Sequence, residues 1–276
     1  MKFQRHLERA SNSVDDFFSS LFLRFGVVYV SIAAAAFQWA APITETTMPD
    51  TENELGVLIL AGGQSARMGK HKALLDFKGQ TFIECIVDLC VPLGRHIVVS
   101  VGQAQGDRPL LRARFESNPK FSQVVWVEDE HDQKGPMAGI EAGLKSLQSV
   151  CRYAFVTGCD VPVLKTELAK ELLHIANQND ARAVTPVDGK RIFGMTAIYR
   201  TDSWQVASEL IQKNSLRVSN LAEQLSATKV ELADLREFDP KLESFLNINH
   251  PQAYRDFLIS QGCDVSAEVM KDLRDS

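Results

Sequence analysis

VLILAGGQSARMGKHKALL, residues 57–75, is the stretch that decides the fold of this 276-residue chain. Four apolar residues run directly into a loop with the adjacent glycines Gly62 and Gly63, and Lys72 stands at the entry to the next helical stretch. Glycines allow close backbone approach, so successive N–H groups can face phosphate oxygens, while Arg67 and Lys72 supply positive charge. The spacing matches neither the Walker A sequence nor the GxGxxG fingerprint. The stretch therefore predicts a strand followed by a phosphate-binding loop of another kind.

Short apolar runs alternate with helix-like stretches along the rest of the chain. This alternation is typical of βαβ units and predicts an α/β fold with a mostly parallel sheet. The predicted strands are 57–60, 96–101, 124–127, 153–157, 183–186, 195–199 and 230–232. The predicted helices are 81–89, 137–147, 166–177, 203–213 and 251–259. In such sheets ligands bind beyond the carboxyl ends of the strands, so residues there are the first candidates for function.

The net charge of −5 and the isoelectric point near 5.7 argue against broad attraction to nucleic acid, which depends on clustered Lys and Arg. We therefore expect no nucleic-acid partner and only local phosphate recognition. The five cysteines are scattered and form no CxxC pair, which favours reduced thiols over a zinc or redox site. Cys159 is interpreted as a small buried thiol beside a strand end.

Residues 1–47 precede the nucleotide motif and contain an almost wholly apolar run from Phe25 to Pro42. This run is consistent with a signal sequence or a short membrane anchor. A third interpretation, which we favour, is an extension of no catalytic importance before an effective start at Met48. Residues 48–276 then form a single domain, whose N-terminal half binds the nucleotide and whose C-terminal half binds the acceptor. Because the motif needs nucleoside triphosphates, we expect a cytoplasmic protein.

Leu60–Leu75 resembles the opening LAGGxSxRMGxDK of the molybdenum cofactor guanylyltransferase (MobA) family, within the nucleotidyltransferase superfamily. His71 stands where this family usually has aspartate. Three later stretches resemble the family in the expected order: Glu128-Asp129, the GPMAGI turn at 135–140 and CDVP at 159–162. The resemblance implies a three-layer, Rossmann-like (GT-A-like) nucleotidyltransferase fold with helices on both faces of the sheet.

The resemblance also implies a reaction. GMP would pass from GTP to the phosphate of molybdenum-molybdopterin, with release of pyrophosphate. Asp160 would hold Mg²⁺, a hard cation that prefers oxygen ligands. The catalytic residues would be Arg67, Lys72 and Asp160. The nucleotide contacts would be Leu60, Ala61, Gly62, Gly63, Lys72, Ser100, Asp129 and Asp160.

The resemblance to the family is uneven in the C-terminal half of the chain, which should bind the acceptor. Arg217, Asn247 and Asn249 are the predicted acceptor contacts, and Ile192-Phe193 occupies the place of a His-Pro pair found in some members. Molybdopterin-handling proteins and molybdoenzyme chaperones are implied as further partners. The alternatives are a related transferase that uses CTP or another phosphorylated acceptor, and a non-catalytic nucleotide-binding accessory protein. Asp160 argues against the latter.

His131 and His250 are two candidates for a general base. A phosphate acceptor is already ionised and needs no base. We therefore expect neither histidine to take part in the chemistry.

Overall fold

The computed structural model describes residues 54–62, 68, 71–102, 111, 113, 118, 121–131, 134–263 and 265. The predictions for Gly63, Arg67 and residues 1–47, including the apolar run at 25–42, lie outside the described residues. Within these ranges, no helix combines the length and the apolar character that crossing a membrane requires.

Strands and helices alternate along the described chain, as the hydrophobic pattern predicts. The strands are β1 (Leu55–Leu60), β2 (Asp76–Phe77), β3 (Gln80–Thr81), β4 (Ile97–Val101), β5 (Val124–Glu128), β6 (Tyr153–Gly158), β7 (Ala183–Asp188), β8 (Arg191–Ile192), β9 (Ala197–Arg200) and β10 (Thr228–Glu231). The helices are α1 (Phe82–Cys90), α2 (Pro136–Leu147), α3 (Thr166–Gln178), α4 (Trp204–Gln212), α5 (Val218–Gln224) and α6 (Pro251–Ser260). Within the described residues, five 3₁₀ turns lie at Lys72–Leu74, Val91–Leu93, Thr201–Ser203, Asp234–Glu237 and Glu243–Phe245.

An eight-stranded sheet has the order β10-β7-β9-β6-β1-β4-β5, and β8 pairs with β7 beside this path. β9 runs antiparallel to its neighbours β6 and β7, whereas the other strands of the path run parallel to one another. The prediction of a mostly parallel α/β sheet is confirmed. A strand at 195–199 was predicted, but its reversed direction was not, because a short apolar run does not reveal the direction of a strand.

Both faces of the sheet are covered. Along β1, Val57 and Ile59 pack on one face with α1 and α3, while Leu58 and Leu60 pack on the other face with α2, α4 and α5. Successive side chains of a strand point to opposite faces, so a strand that is apolar throughout must be buried on both sides. The three-layer arrangement is therefore confirmed.

α2 lies unusually close to the sheet. A Cβ at Gly143 would stand 2.2 Å from Leu58 Cδ1, and one at Gly139, a turn earlier, would stand 2.9 Å from Ser100 Oγ. A side chain at either position would force Leu58 or Ser100 to move. The two glycines thus allow the N-terminal part of α2 to lie over the ends of β1 and β4.

A third apolar cluster joins the C-terminal helix α6 to the β2–β3 hairpin and the start of α1. Phe77 and Phe82 contact Phe257 at ring-centroid distances of 4.9 and 5.8 Å, and Tyr254 donates a hydrogen bond of 2.5 Å to the Asp76 carbonyl. The hairpin was not predicted. Its turn residues, Lys78 and Gly79, have φ angles of 54° and 81°, as a two-residue type I′ turn requires.

Candidate active site

The carboxyl ends of four strands meet at one edge of the sheet. The Ala61 N–H donates to the Ser100 carbonyl at 2.8 Å, and the Cys159 N–H donates to the Leu60 carbonyl at 3.0 Å. The chain runs from β1 outward through β4 to β5 and then returns to β6 on the other side of β1. The strand order therefore reverses at β1, and open α/β sheets bind ligands in the crevice at such a switch point.

Lys72, Asp160 and Asn249 meet in this crevice. The Lys72 Nζ lies 3.4 Å from Asp160 Oδ2, and it also donates a short hydrogen bond to Asn249 Oδ1. The side chains of Lys72 and Asp160 are 19% and 23% exposed, so a ligand can reach both. The structure thus brings together three predicted site residues that stand as far as 177 positions apart in the chain.

Lys72 is positioned by a capped 3₁₀ turn. His71 precedes this turn in an extended conformation, and its Nδ1 accepts a hydrogen bond of 3.3 Å from the Ala73 N–H. A side-chain acceptor before a helical turn satisfies an N–H group that has no partner within the turn. An aspartate at position 71 could provide the same acceptor, so the departure from the family's usual residue preserves this local interaction.

Asp160 follows β6 and folds back over the strand end. A Cβ at Gly158 would lie 2.5 Å from Asp160 Oδ1, so glycine at that position leaves room for the carboxylate. Burial, together with the nearby Asp160 charge, raises the pKa of the Cys159 thiol well above its ordinary value. Cys159 is 6% exposed and remains a protonated thiol at neutral pH, as its interpretation as a small buried residue predicts.

Asn249 is fixed by its neighbours on both sides. Ile248 is 2% exposed and belongs to the third apolar cluster, and His250 caps α6 by accepting a hydrogen bond of 3.1 Å from the Ala253 N–H. Asn247, by contrast, is exposed. Asn249, a predicted acceptor contact, therefore lies against the lysine predicted to bind the nucleotide.

The other predicted nucleotide contacts line the same edge of the sheet. Leu60 and Ala61 are buried at the end of β1, whereas Gly62 is exposed. Ser100 is 2% exposed and packs under Gly139, and Asp129 is 8% exposed immediately after β5. Their contacts with a nucleotide remain predictions, as do those of Gly63 and Arg67.

The start of α2 lies beside the segment that carries Arg217. Gly135 precedes the helix with φ 63° and ψ −153°, a conformation that favours glycine, and Pro136 occupies the first turn. The Lys134 ammonium donates a hydrogen bond of 3.0 Å to the Asn214 carboxamide. Arg217 is exposed at the N-cap of α5. This bridge between the two halves was not predicted, since nothing in the local sequence pairs positions 80 residues apart.

The two histidines considered as bases make structural contacts. His131 Nε2 lies 3.8 Å from the buried carboxylate of Glu141 on α2, and His250 caps α6. Neither contact uses the imidazole as a base toward a substrate. The expectation that neither histidine takes part in the chemistry stays a prediction.

The described residues contain no group of three or more His, Cys, Asp or Glu side chains suited to hold a metal ion. Mg²⁺ does not need such a group, because it keeps several waters and is usually held by one or two carboxylates together with substrate phosphates. Asp160, a partly exposed carboxylate at the crevice, fits that requirement.

A mostly parallel sheet that presents a lysine and a strand-end aspartate at its switch point is the arrangement expected of a nucleotidyltransferase. The MobA-like NTP transferase domain family matches residues 57–228, which covers the strands from β1 through the start of β10. This match spans more than half of the chain. The chain belongs to the MobA-like NTP transferase family.

Curated relatives agree with this assignment. Proteins named probable molybdenum cofactor guanylyltransferase from Mycobacterium tuberculosis are 33% identical over 189 residues, which cover 68% of this chain and 88% of the relative. A protein of the same name from Methanosarcina acetivorans is 28% identical over 204 residues, covering 73% and 88%. The molybdopterin-guanine dinucleotide biosynthesis protein A of Archaeoglobus fulgidus has a similar fold, with a TM-score of 0.63, 23% identity and coverage of 75% and 99%.

Proposed function

We propose that this protein transfers GMP from GTP to the phosphate of molybdenum-molybdopterin, forming molybdopterin guanine dinucleotide and pyrophosphate. The observation that carries the proposal is the meeting of Lys72, Asp160 and Asn249 in the switch-point crevice. It supports transfer of a nucleotide because a cation and a carboxylate stand together where a triphosphate would lie. The names of the relatives support the choice of nucleotide and acceptor.

The chemistry consists mainly of positioning and charge neutralisation. The ionised acceptor phosphate attacks the α-phosphorus, a new P–O bond forms, and the bond to pyrophosphate breaks, with the two oxygens roughly in line. Lys72, and Arg67 in the glycine loop, stabilise charge on the phosphoryl oxygens and the leaving group. Because the acceptor carries no proton to remove, the reaction needs neither His131 nor His250.

Asp160 is the residue that would hold Mg²⁺. When bound there, the ion neutralises phosphate charge and acts as a Lewis acid. The Lys72 ammonium, 3.4 Å from the Asp160 carboxylate, keeps this carboxylate turned toward the crevice. Asn249 accepts from the same ammonium and orients it without adding a second negative charge.

The acceptor lies on the side of the crevice formed by the C-terminal half. Asn247 and Arg217 are both exposed and can meet an anionic ligand. The expected site of action is the cytoplasm, where GTP is available. Molybdopterin-handling proteins and molybdoenzyme chaperones would deliver the acceptor and receive the product.

The proposal is tested by incubating the purified full chain with Mg²⁺, molybdenum-loaded molybdopterin and either GTP or CTP. We expect pyrophosphate release and a guanine-bearing product with GTP alone. Release with CTP alone would assign a cytidylyltransferase instead. Absence of release with both nucleotides, when a known guanylyltransferase is active in the same assay, would contradict the proposed reaction.

A further inference from the structure

The reversed part of the sheet carries a bulge beside the candidate active site. Val187 of β7 pairs with Ile192 of β8, and Val184 of β7 pairs with Ile198 of β9. The two β7 residues between these pairs therefore face five residues, 193–197. One of the two is Pro186, which has no N–H to donate to a sheet ladder. Its carbonyl accepts from the Phe193 N–H at 2.9 Å, and the following residues leave the sheet.

The bulge lies near the end of β6. Ala197, the last of these five residues, pairs with Val156 of β6. Val156 stands two residues before Gly158, where the strand that leads to Asp160 ends. Tyr199 donates a hydrogen bond of 2.9 Å to the Gly194 carbonyl, and a Cβ at Gly194 would lie 2.6 Å from Val218 Cγ1. The bulge is therefore held firmly between the sheet and α5.

Three side chains at the bulge form what we call the aromatic platform: Arg191, Phe193 and Phe245. The Arg191 guanidinium lies 4.5 Å from the centre of the Phe193 ring, and the Phe193 and Phe245 rings meet edge to face at 5.1 Å. A guanidinium that lies over a ring can still present its opposite side and its N–H groups to a ligand. Arg191 is exposed, so this opposite side is open to a ligand.

The aromatic platform is connected to the reacting groups by a short segment. Asn249 is four positions after Phe245, which bounds the distance between their Cα atoms at about 14 Å, since an extended chain spans ~3.5 Å per residue. Asn249 accepts from Lys72 beside Asp160. A ligand with a flat ring at one end and a phosphate at the other can therefore contact both places.

We propose that Arg191, whose guanidinium lies over the Phe193 ring, stacks on the nitrogen heterocycle of the acceptor and determines which ring system the enzyme accepts. This inference rests on the proposed function and names residues that recognise the ring of its acceptor. The ligand class is a flat pterin-like heterocycle, whose face stacks on the guanidinium and whose edge accepts its hydrogen bonds.

Kinetics of single variants test this assignment, with molybdenum-loaded molybdopterin and GTP varied in turn. Arg191→Gln should raise the KM for the acceptor about tenfold and leave the KM for GTP and kcat within about twofold, as expected for loss of one stacking cation. Arg191→Lys should behave like Arg191→Gln, because an ammonium keeps the charge but not the plane. Restoration by lysine would overturn the stacking role and point to simple charge recognition of the phosphate.

Arg152→Gln is the matched control. Arg152 also stacks on an aromatic ring, 5.1 Å from the centre of Tyr153, but it lies at the amino end of β6 and pairs with Asp180. Its loss should leave both KM values unchanged. An equal change of the acceptor KM in Arg152→Gln and Arg191→Gln would contradict the proposal.

Binding of 6-hydroxymethylpterin, followed by its fluorescence, separates this inference from the proposed reaction. If the wild-type chain binds this phosphate-free pterin and Arg191→Gln binds it at least fivefold more weakly, ring recognition stands even when no guanylyl transfer is found. If wild-type and Arg191→Gln bind it equally, or neither binds, the aromatic platform is not a pterin site.

Discussion

The two sides of the sheet place functional groups in different ways. On the β5–β4–β1–β6 side all strands are parallel, and β1, β4, β5 and β6 each end within two residues of a predicted nucleotide contact. On the β9–β7–β10 side one strand is reversed, and candidate contacts come from a bulge, the α5 cap and the segment before α6. The first side positions groups through strand geometry, whereas the second depends on packing between distant segments.

Asn249 connects these two sides. It belongs to the C-terminal segment, yet its carboxamide contacts Lys72 of the first half, and α6 anchors that segment on the β2–β3 hairpin. The cluster of Lys72, Asp160 and Asn249 is therefore incomplete without the segment before α6. Changes on the first side should chiefly affect the chemical step and GTP binding, whereas changes on the second should chiefly affect acceptor binding.

The largest effect is expected from Asp160→Asn. The substitution keeps the size of the side chain and removes the charge that would hold Mg²⁺ beside Lys72. Turnover at saturating GTP should fall by roughly 10³-fold, comparable to the loss of a main electrostatic group in an active site. The rate of pyrophosphate release measures this turnover.

Asp180→Asn provides the control for Asp160→Asn. Asp180 also pairs with a cation, Arg152, at 2.6 Å, but this pair lies on the surface, away from the crevice. The Asp180→Asn variant should retain wild-type turnover. Turnover of Asp160→Asn within tenfold of the wild type would remove Asp160 from its proposed metal-binding role.

A smaller loss is expected from Lys72→Met. This change keeps a long apolar stem and removes the ammonium that lies between Asp160 and Asn249. We expect kcat to fall by about 10²-fold and the KM for GTP to rise, because charge on the phosphoryl oxygens loses one partner. In Lys213→Met, an exposed lysine paired with Glu209 on α4 is removed, and both constants should stay unchanged. An unchanged KM for GTP in Lys72→Met would place Lys72 outside the nucleotide site.

The sequence predicts more of the first side because its signals are local. The run of apolar residues before Gly62 indicates a buried parallel strand, and a carboxyl-end location for Asp160 follows from strand direction alone. The structure confirms the mostly parallel, three-layer fold and brings Lys72 and Asp160 together. The assignments of individual contacts to GTP remain predictions.

The second side was less predictable for physical reasons. Pro186 lies inside a paired strand, where proline usually disrupts pairing, and the bulge beside it brings Phe193 and Arg191 together. Sequence alone cannot place Phe245 against Phe193, 52 positions earlier. A local signal did exist for the missed β2–β3 hairpin, since a Lys-Gly turn lies between two short alternating stretches.

The link between the two sides is tested by Asn249→Ala. The variant loses the acceptor of the hydrogen bond from Lys72, an interaction with a charged group, and turnover should fall about tenfold. The KM for GTP should rise, because the freed ammonium pairs more closely with Asp160. Asn247→Ala, two residues away and exposed, should instead change only the KM for molybdenum-molybdopterin. If both variants altered the acceptor KM alone, Asn249 would be an acceptor contact and would not position Lys72.

The smallest effect concerns the anchor of α6. Tyr254→Phe removes the hydrogen bond to the Asp76 carbonyl and should lower the free energy of unfolding by about 1 kcal/mol at pH 8. Burial, with the nearby Asp76 charge, raises the pKa of Tyr254 from 10.0 to about 12. Above pH 10 the unfolded chain releases the Tyr254 proton while the folded chain retains it. The contribution of Tyr254 to stability is therefore full below pH 10 and is lost as the pH rises toward 12.

The advantage of the wild type over Tyr254→Phe should therefore shrink between pH 8 and pH 11 in urea denaturation. Subtracting the variant from the wild type cancels the titration of the other tyrosines and of the buried cysteines. A constant difference across this range would show that the Tyr254 hydroxyl is not buried against the hairpin. α6 also fixes Asn249 through Ile248 and His250. The Tyr254→Phe variant should therefore also have a slightly higher KM for GTP than the wild type.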